Sequence, residues 1–218
     1  MDGPEFVAGL VAEMQELFAG LGEQGALEAE SQGRVEIPTL LRLAQRSELE
    51  AAELAAAWLP TTPDLEVKML FAAQCADEMK HYRLIGDRLA ELGEAGIAFD
   101  PAEGYGPLYS YLLALASAVE RVAAGPFARE AIAEVRNAQF IDFCERSGDA
   151  ATARLYRDVI QPEEVHHHRR GREVLERLCA DDTAQRLAAT AVRSTLAIAD
   201  ELSNLARKST GAHPIPVS

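Results

Sequence analysis

Apolar side chains recur every three or four residues through most of this chain, the spacing that lines one face of an α-helix, and strand-type runs of Val, Ile and Thr are missing. Proline, glycine and aspartate divide the pattern into segments. A first amphipathic stretch, 5–21, fades into a Gly- and Glu-rich segment, 22–33. Pro38 suits the first turn of the next helix, which runs to Leu59 and stops at Pro60. Thr62-Pro63-Asp64 predicts a cap, a first-turn proline and an acidic first turn for a long helix ending near Gly93. The stretch 96–107, with Asp100-Pro101 and its glycines, reads as a connection. Helical spacing resumes over 107–124, is expected to break at Gly125-Pro126, and continues over 127–146. Gly148-Asp149 then stops one helix and caps its successor, which extends to about Cys179. Asp181-Asp182, with Gln185 three residues after Asp182, opens a last helix to about Lys208, and two prolines mark 209–218 as a loose tail.

Two helices, a longer connection and two more helices predict an all-α protein built as a four-helix bundle with one long crossover. The 218 residues suit one sizeable domain. The bundle occupies 37–208, after an N-terminal helix and linker at 1–36 and before the tail at 209–218. The first and last helices are additions whose apolar faces either wrap the bundle or form a homodimer.

Composition narrows the function. With a net charge of −14 and no basic stripe, the chain lacks the cations that meet phosphates, which excludes nucleic acid and anionic membrane as expected partners. Cys75, Cys144 and Cys179 lie far apart and form no C-x-x-C pair, so a zinc ribbon, a rubredoxin-type iron site and a disulfide framework all lack their residues. No run approaches the roughly 18 to 20 apolar residues of a membrane span, and the acidic start carries no leader pattern, so the expected location is the cytoplasm.

The candidate chemistry lies in carboxylates and imidazoles on apolar faces. Glu78-Met79-Lys80-His81 places a Glu and a His three residues apart on one helical face, among Phe71, Gln74, Cys75, Tyr82 and Ile85. An ionised carboxylate buried there without a partner would cost several kcal/mol, and a metal ion removes that cost. A second such pair, Glu164 and His167, falls on the line through Tyr156, Ile160, Gly171 and Leu175, with His166 and His168 flanking it. Each pair needs a companion carboxylate. Glu48 stands among Leu41, Ala44, Gln45, Ala51, Ala52 and Ala55, whereas Glu50 and Glu53 share their side with Arg46 and Ser47. Glu134 stands with Phe127, Ala131, Ala138 and Ile141, and Glu130, one turn away on nearly the same face, is its rival. Glu48 precedes Glu78 by 30 residues and Glu134 precedes Glu164 by 30. Two hairpins, each offering Glu and then Glu-x-x-His, fit a di-metal bundle. Four carboxylates balance two divalent ions, and the donor set suits iron or manganese.

Through Glu48-Leu49-Glu50-Ala51, Glu78-Met79-Lys80-His81, Glu134, and Glu163-Glu164-Val165-His166-His167 followed by Gly171, the chain resembles the ferritin-like diiron-carboxylate superfamily over about 39–178. Its likeness is to the aldehyde-deformylating oxygenase type. The resemblance implies a pair of iron ions (Fe/Fe, or Mn/Fe), with Glu48, Glu78 and His81 on one ion and Glu134, Glu164 and His167 on the other. It implies Glu78 and Glu164 as bridges, and Asp77 and Glu163 either as acids that steady the opposite histidine or as plain surface acids. It further implies an O2-activating oxygenase or oxidase whose small or lipophilic organic substrate lies against Phe71, Tyr82 and Phe127. Electrons would come from an external ferredoxin or reductase, since no flavin or iron–sulfur motif is present. The alternative is a peroxide-reducing or metal-handling protein with no organic substrate. The chain departs from related types: it has no rubredoxin-like module, no tyrosine four residues after the first histidine, where Ile85 stands, and no basic surface for a tRNA.

Overall fold

The structure, a computed structural model, describes residues 1–19, 36–97 and 104–209, with the backbone alone at 19 and 203–209. The linker expected at 22–33, the middle of the crossover and nearly all of the tail lie outside the described residues. Among those described there is helix and no strand. In chain order the helices are α1 (Gly3–Ala19), α2 (Ile37–Trp58), α3 (Leu65–Glu91), α4 (Pro107–Leu113), α5 (Ala118–Val122), α6 (Glu130–Arg146), α7 (Ala150–Leu155), α8 (Gln161–Leu178) and α9 (Asp182–Ser209). Wider π turns join α5 to α6 (Ala123–Arg129) and α7 to α8 (Tyr156–Ile160).

Local chemistry sets the helix ends. Asp64, rather than Thr62, caps α3, its carboxylate accepting from the Val67 N–H at 3.1 Å. Thr62 instead donates its hydroxyl to the Trp58 carbonyl at 2.8 Å and closes α2. The stretch expected to be one helix over 107–124 is divided, because Ser117 and Glu120 form a capping box that starts α5 afresh. Gly148, at a φ of 81°, ends α6, and Asp149 caps α7 through the Thr152 N–H. Asp181 caps α9, accepting from the Thr183 and Ala184 N–H groups.

The break expected at Gly125-Pro126 does not occur. Proline lacks an N–H and crowds the carbonyl four residues earlier, and the wider π turn absorbs it without ending the helix. The bulge is also a packing contact. A Cβ on Gly125 would lie 2.9 Å from the Trp58 ring, and one on Gly171 would lie 2.5 Å from the Pro126 carbonyl. Glycine at 171 therefore lets α8 seat directly on the π turn.

α2 and α3, joined by 59–64, pack along each other; α6 and the π turn before it pack on α8, and α3 meets α8. Two apolar clusters result. One gathers Trp58, Phe71, Phe127, Val174 and Leu175, and is extended by Val7, Leu10 and Met14 of α1 and by Ala188, Ala191 and Val192 of α9. The other gathers Leu41, Ile85, Leu89, Phe140, Phe143, Tyr156 and Ile160. Along α2, along α3, and along the second π turn and α8 together, one cluster lies before and the other after a short polar stretch, so that stretch is held between two apolar layers. Each large side chain fully buried there contributes about 1.5–3 kcal/mol against the cost of burying a polar centre. Among the described residues no helix is long and apolar enough to cross a membrane.

Candidate metal centre

The polar stretches of four helices meet between the two clusters. α2 supplies Glu48, α3 supplies Gln74, Glu78 and His81, α6 supplies Glu130 at its first residue, and α8 supplies Glu164 and His167; all are buried. Glu78, His81 and Glu130 are 0% exposed, which rules out solvation as their means of support. Their donor atoms form two overlapping sets, Glu48–Glu78–His81–Glu164 and Glu78–Glu130–Glu164–His167, each lying within 4.8 Å of one another. Either set could hold a metal ion, and Glu78 and Glu164 belong to both.

Both imidazoles are turned the same way. His81 Nδ1 lies 3.3 Å from Glu164, 3.5 Å from Glu78 and 3.8 Å from Glu48. His167 Nδ1 lies 3.5 Å from Glu164 and 3.7 Å from Glu78. The outward nitrogens pair crosswise: His81 Nε2 with Glu163 at 2.7 Å, and His167 Nε2 with Asp77 at 3.1 Å. Asp77 and Glu163, which the sequence left open as surface acids, thus hold the histidine of the opposite hairpin, and Lys80 lies against both. An Nε2–H donated to a carboxylate leaves the Nδ1 lone pair facing inward.

The inward atoms test whether an ion fits. His81 Nδ1, His167 Nδ1, Glu78 Oε2, Glu130 Oε2 and Glu164 Oε2 are all buried without a hydrogen-bond partner. Buried polar atoms are ordinarily satisfied, and five orphans aimed into one space are the pattern a metal ion completes. Electrostatics agree. Burial, and next the charge of Glu78, push Glu48 well above the usual carboxylate range; burial, and next Glu164, do the same to Glu130. Burial opposes charge on His81 and His167, but the surrounding carboxylates outweigh it and raise both. Burial opposes charge on Glu164 too, yet the nearby Glu130 carboxyl and the two histidines hold it well below the usual range. Protons and opposite charges thus do in this centre what cations would do.

Glu134 is not brought to the donor sets; Glu130 is. The two share a face and differ by one turn, so periodicity alone does not choose between them. The matching 30-residue intervals favoured Glu134, but an interval counts connection and helix residues alike, and the connections differ, 59–64 against 147–149. Glu134 stands half-buried 3.9 Å from His168, its carboxyl pushed up to about 7 by burial and then by the charge of Glu164. His168 stacks on Phe127 with ring centroids 5.3 Å apart, and His166 faces Arg169 on the exposed side. Tyr82 directs its hydroxyl to the Ile97 carbonyl.

Two participants carried no signal of their role in the sequence. The Gln74 amide donates to Glu130 at 2.6 Å and to Glu78 at 3.3 Å, tying α3 to α6. Arg129, the last residue of the π turn, donates to Glu130 at 2.8 Å and lies 3.9 Å from Glu78, with only 14% of its side chain exposed. An arginine beside a glutamate ordinarily marks a solvated face, and only the π turn carries this one inward.

In comparison with known proteins, no family model, curated protein or solved structure matches this chain.

Proposed function

We propose that the chain is a ferritin-like four-helix bundle that holds two iron ions and uses them to activate O2 against a small or lipophilic organic substrate. The observation that carries this reading is the pair of donor sets sharing Glu78 and Glu164, with both Nδ1 atoms unpartnered and aimed inward. Glu48, Glu78 and His81 would hold one ion, and Glu130, Glu164 and His167 the other, with Glu78 and Glu164 spanning the two. Iron held by these residues would supply electrons to O2, and an external ferredoxin or reductase would restore them, because the three cysteines are free and form no cluster motif.

The residues themselves do three things. Four carboxylates neutralise two divalent ions, so the charge of the pair is met inside a dry core. Glu163 and Asp77 fix the tautomer and the ring direction of His81 and His167. The buried Phe71 and Phe127 belong to the apolar layer beside the centre and would form the substrate wall; Tyr82, turned toward Ile97, leaves that wall.

The positioning role of the outer acids yields a direct expectation. Asp77→Asn and Glu163→Gln should each weaken metal affinity by about 10- to 100-fold while leaving the number of ions unchanged. Chelator competition measures this, and affinities equal to wild type would return both residues to the status of surface acids.

One observation favours a second reading, a peroxide-reducing or metal-handling protein. A cavity of about 240 Å³ reaches Asp77 and His167 from the surface between α3 and α8, and Glu66, His166 and Arg170 make part of its lining polar. Met69, Leu70 and Ala73 complete the lining, and an approach that opens to the surface beside charged groups suits a small oxidant. The test is to count metal ions in purified protein, reduce it without air, and follow consumption of O2 and of H2O2 in parallel. About two irons per chain with rapid O2 uptake supports the oxygenase reading. Two irons with H2O2 consumed far faster than O2 supports the second, and firmly bound zinc or no metal sinks both.

A further inference from the structure

Besides the atoms of the centre, Glu134 Oε1, His168 Nδ1 and Gln161 Oε1 are buried without a hydrogen-bond partner, and all three residues lie along the seam between α6 and α8. The Glu134 and His168 atoms lie 3.9 Å apart. That is too long for a hydrogen bond, but it is within the span of two donors bound to one ion, each about 2.0–2.2 Å from it. The inward nitrogen of His81 keeps the same spacing from its carboxylates, 3.3 to 3.8 Å.

Helix direction explains why the two side chains meet. α6 and α8 run antiparallel: Gln161 donates to the Glu134 carbonyl at 3.0 Å, while further along α8 His168 stacks on Phe127, which precedes Glu134. Side chains lean toward the N-terminus of their own helix, so Glu134 and His168 converge from opposite ends. They converge over the turn of α8 that carries Glu164, and the charge of Glu164 acts on Glu134. Glu130 and Glu164 are 0% and 2% exposed, whereas the side chains of Glu134 and His168 are 29% and 19% exposed. The pair thus stands between the centre and solvent. Arg172, one turn beyond His168, is bonded to Glu176 at 2.9 Å and not to the pair.

We propose that Glu134 and His168 hold a third divalent transition-metal ion, bound more weakly than the two of the centre, and that the centre fills from it. The loading role rests on the di-metal reading. A carboxylate with an imidazole suits iron, manganese or zinc rather than magnesium or calcium. The weaker hold follows from charge and donor count. Inside, four carboxylates and two imidazoles meet two ions; outside, one carboxylate and one imidazole meet the third, with water in the remaining positions. An ion held there has a short way inward, from Glu134 to Glu130 one turn away on α6, and from His168 to Glu164 one turn away on α8.

The experiment counts ions and follows their entry. Metal-free protein is dialysed without air against excess cobalt(II), and cobalt per chain is counted at equilibrium and again after gel filtration. Wild type is expected to hold three ions at equilibrium and two after filtration. Glu134→Gln and His168→Gln should each hold two in both, since losing one of two donors weakens the outer ion by more than the roughly 10- to 100-fold that loss of an outer partner costs. Filling of the centre, followed by stopped-flow cobalt absorbance, should slow by about tenfold in Glu134→Gln, because a fixed negative charge at the entrance raises the local concentration of cations. Two ions at equilibrium in wild type, or a third ion kept by either variant, overturns the outer site and leaves the di-metal reading standing. A third ion lost while Glu134→Gln fills at the wild-type rate overturns the loading role. A single ion in wild type that both variants remove supports the outer site and sinks the di-metal reading, and no bound ion sinks both.

Discussion

With two metal ions held as proposed, Glu164→Ala is expected to release both together, leaving purified protein with close to none after gel filtration. Glu164 belongs to both donor sets, and its carboxylate approaches both inward imidazole nitrogens, at 3.3 and 3.5 Å. Loss of an outer partner of a ligand costs about 10- to 100-fold in affinity, so loss of a ligand shared by two ions should exceed that range for each. Glu78→Ala should behave in the same way, for the same reason. The α6 carboxylates supply the internal control. Glu130→Ala should reduce the count from two ions to one, whereas Glu134→Ala should keep both, because only Glu130 joins a donor set. Element analysis by emission spectroscopy reads all four variants, with circular dichroism to verify that each remains helical. Two ions retained in Glu164→Ala, or a loss in Glu134→Ala without one in Glu130→Ala, would falsify this arrangement.

The contrast between Glu130 and Glu134 marks where the sequence ceased to be legible. Glu48 could be placed inward because alanines and Leu41 surround it at helical spacing, and the structure buries it on that face of α2. Glu78, His81, Glu164 and His167 could be read because an acid and an imidazole three residues apart on an apolar face have few other means of support. The all-helical class followed from the same periodicity. Choosing between two carboxylates one turn apart requires the height of α6 against α8, and height is a tertiary quantity. The sequence also carries no sign of π turns. Gly125-Pro126 has the composition of a break, and it becomes a bulge only because Trp58 and Gly171 leave room for it from two other helices. Arg129 was hidden for the same reason, since its burial depends on the turn that precedes it. By contrast Ser117 and Glu120 form a local capping signal three residues apart, and the division of 107–124 was there to be read.

Metal-free protein should lose stability as pH rises from acid toward neutral, and metal-loaded protein should gain it. The signs follow from the centre. Glu48 and Glu130 have folded pKa values raised above 4.5, so the stability tied to their protons is present below 4.5 and is lost as pH climbs through the raised values. His81 and His167, raised above 6.5, act in the same direction at higher pH. Glu164 acts oppositely, because its depressed value contributes stability above 4.5 that disappears only as pH falls below it. Between about pH 5 and 8 the metal-free slope is therefore downward. Metal ions require the deprotonated ligands, so the gap between loaded and free protein should widen with pH, reaching about 4 kcal/mol per ion when free metal is a thousandfold above its dissociation constant. Glu48→Gln isolates the cause. It removes one of the three carboxylates facing His81 Nδ1 and leaves Glu78 and Glu164 there to compensate the ring. Keeping a proton on Glu48 above its ordinary pKa costs about 1.4 kcal/mol for each pH unit, a cost glutamine does not carry, so this variant should be more stable than wild type without metal at pH 7, have a shallower pH slope, and gain little on metal addition. Urea unfolding across pH, with and without ferrous iron, measures all three. A metal-free wild type that becomes more stable from pH 5 to 8, or a Glu48→Gln variant less stable than wild type without metal, would mean that these carboxylates are a satisfied polar core and are not ligands held against their own repulsion.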